Sequence, residues 1–444
     1  MMPTLAARAP DRTPYERAAA LVAAGIGPAG APYRTAFLIF GGLAVLHGPD
    51  GLSAAKGVYL LGVGAAFACA LLSLGRLEGT GAYRLLRPLV VLSLVFGVLI
   101  ALSLAVSVAH GTSATAWFRD AAPYLLLATV PVFALDLHAS ASRNTLVLMF
   151  VIAGTLATVS YTVEWLDRRS LADLPATRIA MPSSALLSAL YVFALSGALL
   201  NNRKWPAWAA LAAAVLSLAW ITGNRADSVL LLLIAPVIGG LAFIRNRDAA
   251  RAALRPAAVI AMAAVFTLAL TQLLTQTSGY DTGRAAGRFE TINNFSTEDL
   301  SFQYRVAQTK SAWRTFVANP IFGTGPGHHF EWTNVSGIER SSAHIDTALS
   351  FPAKFGAIGA ALFLLLAAAL VHFLRNAGRQ KQNTVAQTAL AAFALLTIMA
   401  AATSAPLEDK GLSFGLVFLL ALVLLPDRDH AEPARGRVAE EVLA

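Results

Sequence analysis

The stretch 88-PLVVLSLVFGVLIALSLAVSVA-109 contains twenty-two residues and no charge. An α-helix rises about 1.5 Å per residue, so about 20 apolar residues cross the hydrocarbon layer of a bilayer. The core helices of soluble proteins are seldom apolar all round for such a length. Similar runs recur near 35–49, 55–75, 120–137, 144–163, 180–200, 205–221, 226–244, 256–274, 351–374, 385–405 and 411–425. The reading is an all-α, polytopic integral membrane protein with about twelve transmembrane helices and one large, partly helical extracytoplasmic loop.

Composition agrees. Of 444 residues, 57% are hydrophobic and 13% charged, where a soluble domain carries about a quarter of its residues as charged ones. The single cysteine, Cys69, rules out an intrachain disulfide. The first residues, MMPTLAARAPDRTPYERAAA, are too polar for a cleavable signal peptide and read as a cytoplasmic tail. The Gly-rich stretch 18-AAALVAAGIGPAG-30 is a candidate interfacial segment. A net charge of +9 would suggest nucleic acid in a soluble protein, but here loop arginines account for most of it, and no nucleic-acid partner is expected.

Those arginines set the expected orientation. One set of alternate loops holds Arg76, Arg84 and Arg87, then Arg143, then Arg203 and Lys204, then Arg245, Arg247, Arg251 and Arg255, and finally Arg375, Arg379 and Lys381. The opposite set has Arg119, Arg225, and Lys410 beside Glu408 and Asp409. Only the 164–179 loop, with Arg168, Arg169 and Arg178, departs from the trend. Basic loops stay cytoplasmic. The organisation expected is therefore a cytoplasmic tail over 1–34, helices over 35–274, an outer loop over 275–342, helices over 343–425, and a cytoplasmic tail over 426–444.

Candidate chemistry collects at the outer boundary. Arg225 stands in 221-ITGNRAD-227, a turn too short to let its side chain wander. An ordinary flanking arginine reaching for headgroups is the plain alternative. A guanidinium held at that edge, however, suits phosphate, whose oxygens match its planar donors. Arg284, Arg288, Arg305 and Arg314 lie in the outer loop and make an anionic ligand plausible. The stretch 301-SFQYRVAQTKSAWRTFVANP-320 reads as a helix, with Phe302, Val306, Thr309, Trp313 and Phe316 at three- and four-residue spacings. Pro320 and 323-GTGPG-327 then end it in a tight turn. His344 follows where the loop returns to the membrane; a neutral imidazole there suits proton removal from a hydroxyl. Asp346 is a candidate to orient it, although a spacing of two residues does not favour the pairing in a helix. Neither HExxH nor GxxxxGK[ST] occurs, so zinc-protease and ATP-driven chemistry have no support.

Three pieces, in order, resemble the O-antigen ligase and O-antigen polymerase superfamily of bacterial membrane enzymes. ITGNRADSVLLLL is similar to the family's Thr-Gly-Ser-Arg turn, with Asn224 in place of Ser and Arg225 as the arginine. RVAQTKSAWRTFVANPIFGTGPGHHF resembles its Arg…Trp…Pro…Gly-x-Gly signature through Arg305, Trp313, Pro320, Gly323 and Gly325. AHIDTALSFPAKFGAIGAALF resembles its His-Asn…Gly-x-x-Gly segment through His344, Gly356 and Gly359, with Ile345 replacing Asn. The resemblance implies a metal-independent, cofactor-free inverting glycosyltransferase in the bacterial inner membrane, its site facing the periplasm. The implied donor is a glycan on undecaprenyl diphosphate, and the acceptor is lipid A–core for a ligase or a second lipid-linked glycan for a polymerase. It further implies Arg225, Arg305 and Arg288 on the diphosphate, His344 as general base, and Gly323 and Gly325 as shapers of the loop. A ligase is the favoured form. The other classes weighed are a secondary transporter, which would want charges inside its spans, and a non-catalytic partner of a flippase.

Overall fold

The computed structural model describes residues 54–75, 77–169, 184–201, 204–221, 225–246, 248–278, 300–333, 337–380, 382–402 and 404–425. The expected first span, 35–49, lies outside them. The described residues are predominantly helical: α1 Ala54–Leu74, α2 Gly81–Ala109, α3 Ala114–Ser140, α4 Arg143–Arg169, α5 Ser184–Leu200, α6 Trp205–Ile221, α7 Arg225–Asn246, α8 Ala249–Ser278, α9 Leu300–Ala318, α10 Ser350–Arg379, α11 Thr384–Ala400 and α12 Lys410–Val423. A two-stranded antiparallel hairpin, β1 Phe330–Thr333 with β2 Glu339–Ser342, stands between α9 and α10. A 3-10 turn at Pro406–Glu408 precedes α12.

Helix starts follow local chemistry. Side chains of Thr80, Ser113 and Asn383 accept from backbone N–H groups of Tyr83, Ala116 and Ala386, satisfying donors that a helix leaves open at its first turn. Asp409 does this for two helices at once. Its Oδ1 accepts from Gly411 N (2.7 Å) at the start of α12, and its Oδ2 accepts from Ala185 N (2.9 Å) and Ser184 Oγ (3.0 Å) at the start of α5. Burial pushes this carboxyl up to about 6.

Side-chain exposure supports a membrane setting. On α2 the large side chains Val91, Val95, Val98 and Leu102 form one stripe, 48–64% exposed, while Phe96 and Ile100 opposite are fully buried. A contiguous apolar stripe of that kind would aggregate in water and is at home against lipid. By contrast, α5 and α12 are apolar on every side and lie in the middle of the bundle, buried along most of their length. Among the described residues, five helices are long and apolar enough to cross a membrane: Gly81–Ala109, Ala114–Ala139, Ser228–Arg245, Ala253–Leu273 and Ser350–Arg379. Helices α5, α6, α11 and α12 are apolar but only 14–17 residues long. The shorter ones rise at most about 26 Å, somewhat less than the hydrocarbon thickness. This is a helical, membrane-embedded protein.

Two contacts define one end of the bundle. Arg245, near the last turn of α7, donates to Thr384 O (2.9 Å) and Gln387 Oε1 (3.0 Å) in the first turn of α11. These helices run antiparallel, so the first residue of α7, Arg225, lies at the same end as the last residues of α11 and the 3-10 turn that follows. The start of α3, the segment after the hairpin and the start of α10 are tied to that turn by the hydrogen bonds described next.

Candidate active site

The site is built from two helix ends, one turn and the segment that follows β2. Asp120 comes from the second turn of α3, Lys354 from the first turns of α10, and Glu408 from the 3-10 turn. His344 lies in the seven residues between β2 and α10. Lys354 Nζ donates to Asp120 Oδ1 and to Glu408 Oε1, each at 2.8 Å, and its side chain is completely buried. Glu408 Oε2 accepts from His344 Nδ1 at 2.8 Å, with Asp120 Oδ1 3.5 Å from the same nitrogen. Tyr124, one turn beyond Asp120, donates its hydroxyl to Glu408 Oε1 (3.1 Å). Asp120 Oδ2 accepts from Gly327 N (2.6 Å). Two carboxylates facing one ammonium leave one negative charge, and the half-exposed imidazole lies beside it.

Burial raises the affinity of the Glu408 carboxyl for a proton. The Lys354 charge, then the hydrogen bond and charge of His344, outweigh that effect and hold the carboxyl well below its ordinary value. Glu408 is therefore an acceptor. It places the imidazole proton on Nδ1, which leaves the Nε2 lone pair available at the outer edge of the site. Such a pairing orients a base and can compensate the imidazolium that forms when the base takes a proton. Glu408, and not Asp346, is thus the carboxylate on His344; the Asp346 backbone N–H donates to Gln308 Oε1 (3.0 Å).

The GTGPG turn frames this cluster. After α9, the N–H of Gly323 donates to Asn319 O (3.0 Å), and the chain then runs along the opening of α10. Thr324 N donates to Ala353 O (3.0 Å), Gly325 N to Lys354 O (2.9 Å) and Ala357 N to Pro320 O (2.7 Å). Those bonds exist because α10 is kinked at Gly356, with φ +64° and ψ −167°, which frees backbone groups that an unbroken helix would use itself. A Cβ at Gly356 would overlap the Ile321 carbonyl, and one at Gly325 (φ +79°) would overlap the Ser107 side chain. Only glycine serves where φ is positive and backbone approaches so closely. Gly323 (φ +68°) and Gly325 both hold left-handed backbone in this turn.

The helix bearing Arg305 is docked on the segment that follows His344. Thr309 Oγ1 donates to Thr347 Oγ1 (3.2 Å), Gln308 receives Asp346 N, and Ala312 packs with Phe330, Trp332, Ile345 and Ala353 in a small core. Arg305, half-buried, lies one turn from Gln308. Arg225 begins α7 at the corresponding end of the bundle; its side chain, and all of Arg284 and Arg288, fall outside the described residues.

The apolar spans do carry charge, contrary to the impression their composition gives: Asp120 and Asp136 lie in α3 and Lys354 in α10, all buried. Asp120, Lys354 and Glu408 were missed as site residues because they are separated by 234 and 54 positions. A signal was available: an ionisable residue inside an apolar span is costly unless it works or is paired.

Ligand atoms of Asp120, His344 and Glu408 lie within 4.8 Å of one another, a spacing that could hold a metal ion. Lys354 Nζ already bonds to both carboxylates, so a divalent ion would have to displace an internal cation. Two short sequence patterns add nothing to the site. The stretch 411-GLSFG-415 has the spacing of a hydrolase nucleophile turn, but it lies within helix α12 with Ser413 buried, and no strand leads into it. The other, 427-DRD-429, has the Asp-x-Asp spacing and lies outside the described residues. A scan against protein-family models finds no match to this chain, and a search of curated proteins finds none either.

Proposed function

We propose that this protein is a metal-independent inverting glycosyltransferase that moves a glycan from undecaprenyl diphosphate to an acceptor hydroxyl. The observation that carries the reading is the His344–Glu408 pair, an oriented base set beside a helix that bears Arg305. The acceptor hydroxyl gives its proton to His344 Nε2 as its oxygen attacks the anomeric carbon. The bond from that carbon to the diphosphate oxygen breaks, and lipid diphosphate leaves with the bonding pair. One displacement inverts the anomeric configuration. Glu408 and the leftover negative charge of the cluster compensate the imidazolium. Arg305, together with Arg225 and Arg288, would take the charge growing on the diphosphate. That contact lowers the barrier only if it strengthens in the transition state.

The favoured form is a ligase that passes finished glycan to lipid A–core in the bacterial inner membrane, with the site facing the periplasm and both termini in the cytoplasm. A polymerase would join the glycan to a second lipid-linked repeat with the same base. Transfer by purified protein, with lipid-linked donor and each acceptor in turn, tests the reading. His344→Ala should abolish product, and undiminished transfer by that variant would refute it. The lipopolysaccharide ladder of a deletion strain separates the two forms. Rough core with accumulated lipid-linked polymer indicates a ligase, and core bearing one repeat indicates a polymerase.

A second reading has one observation in its favour. The buried Asp120–Lys354 pair is the kind of intramembrane ion pair that proton-coupled transporters use. Proton-coupled solute uptake into proteoliposomes, with no transfer in the same preparation, would support a transporter.

A further inference from the structure

The end of α9 and the chain beyond it expose an apolar surface that the transfer reading does not use. Trp313 is 51% exposed, Val317 56%, Ile321 58% and Phe322 56%. The expected stripe of α9 thus splits. Phe316 faces inward onto the small core of Ala312, Phe330 and Ile345, while Trp313 faces out. Lys310 and Arg314, also exposed, flank that outer face.

The level of this surface is set by two helices that cross the membrane. His110, which caps the end of α2, bonds through Nε2 to Asn319 Oδ1 (3.1 Å). Ile358 N, in α10, donates to Ile321 O (3.3 Å). Ile321 is therefore tied to the backbone of a span whose own outward side chains, Ile358, Leu364, Leu365 and Val371, are 41–68% exposed. The apolar surface of residues 313–322 is continuous with a lipid-facing surface and begins where α2 ends.

We infer that residues 313–322 lie in the membrane interface, with Trp313, Val317, Ile321 and Phe322 inserted among the acyl chains of the adjacent leaflet and Lys310 and Arg314 at its phosphates. Tryptophan is favoured at that depth because its ring is apolar and its N–H is polar. An in-plane helix with an apolar face and flanking cations is held by burial and by attraction to anionic headgroups together. A second copy of the chain would also cover such a surface, but the bonds to α2 and α10 place it against lipid. The segment would thereby act as a float: Arg305, eight residues or about 12 Å along the helix from Trp313, is held at a set height over the membrane. This holds whether or not the protein transfers glycans.

The test uses the full chain in bilayers of plain or brominated phosphatidylcholine. Brominated lipid should quench a component of tryptophan emission that Trp313→Phe removes. In a Cys69→Ala background, a nitroxide on Val317→Cys should meet dissolved oxygen more often than a water-soluble nickel chelate. The same label on Arg340→Cys, exposed on β2, should show the reverse. Three results would overturn the inference: no loss of the quenchable component in Trp313→Phe, a label at 317 as open to the chelate as the one at 340, or spin–spin broadening at 317 that reports a neighbouring copy. Transfer activity is not read in these arms, so their failure leaves the catalytic reading untouched.

Discussion

Replacing Lys354 by Met removes the one charge that holds two buried carboxylates together, while keeping the length of the side chain. Asp120 and Glu408 are 1% and 9% exposed, and their oxygens lie within 4.8 Å of each other. At that separation, with an effective dielectric constant of about 20, two unit charges repel by about 3.5 kcal/mol. Breaking a buried pair by removing one partner costs about 3–5 kcal/mol in measured cases, so the two estimates agree. At about 2 °C per kcal/mol for a chain of this size, the thermal midpoint in detergent should fall by roughly 6–10 °C. Proton uptake by Glu408 would relieve the repulsion but would weaken the acceptor on His344 Nδ1, so transfer should also fall. Adding Asp120→Asn removes the second charge and should restore much of the lost stability; such couplings between contacting residues amount to about 0.5–3 kcal/mol. Differential scanning fluorimetry of the two single variants and the double variant measures this. An unchanged midpoint for Lys354→Met, or a double variant no better than the sum of its parts, would refute the proposed role of the ammonium.

Glu408→Gln keeps the size of the side chain but removes the charge that orients and compensates His344. Transfer should fall by about 100-fold or more, a share of what a general base supplies, measured as initial rate with lipid-linked donor. The same carboxyl is held below its ordinary value, so its stabilising effect is present above about pH 4.5 and is lost as pH falls below that value. The native chain should therefore lose thermal stability as pH falls from about 4.5 to about 2, and Glu408→Gln should flatten that part of the profile. Gly325→Ala forces a side chain into a left-handed backbone, costing about 1–2 kcal/mol, and overlaps Ser107 besides; a lower thermal midpoint by fluorimetry is expected. Arg305→Lys keeps a positive charge but loses bidentate geometry, so transfer should drop sharply while the midpoint barely moves. Full activity in Arg305→Ala would remove Arg305 from the reaction.

Of the four clustered side chains only His344 was legible in the sequence, along with the helix and turn beside it. His344 was readable because a polar, titratable side chain marks the return of the loop to apolar sequence. The helix at 300–318 was readable from spacings of three and four, and the turn after it from GTGPG. Its packing was not. Periodicity places Trp313 and Phe316 on one stripe, yet Phe316 turns to the small core and Trp313 turns away. A stripe about 100° wide can be divided between a protein neighbour and lipid, and spacing alone does not say where the division falls.

Helix positions, and an architecture suited to a membrane, were determined by the sequence alone, since apolar length and the capping residues act within a few positions of the chain. The partners of the charges were settled only by tertiary structure. Lys354 meets Asp120 across 234 positions, and Glu408 meets His344 across 64. No local rule relates them. They come together because the ends of α3, α10 and the 3-10 turn converge, and because a kink at Gly356 lets the glycine turn pack against α10. A charge buried in an apolar helix must find its counter-charge wherever the fold brings one. Only the folded chain shows which one it finds.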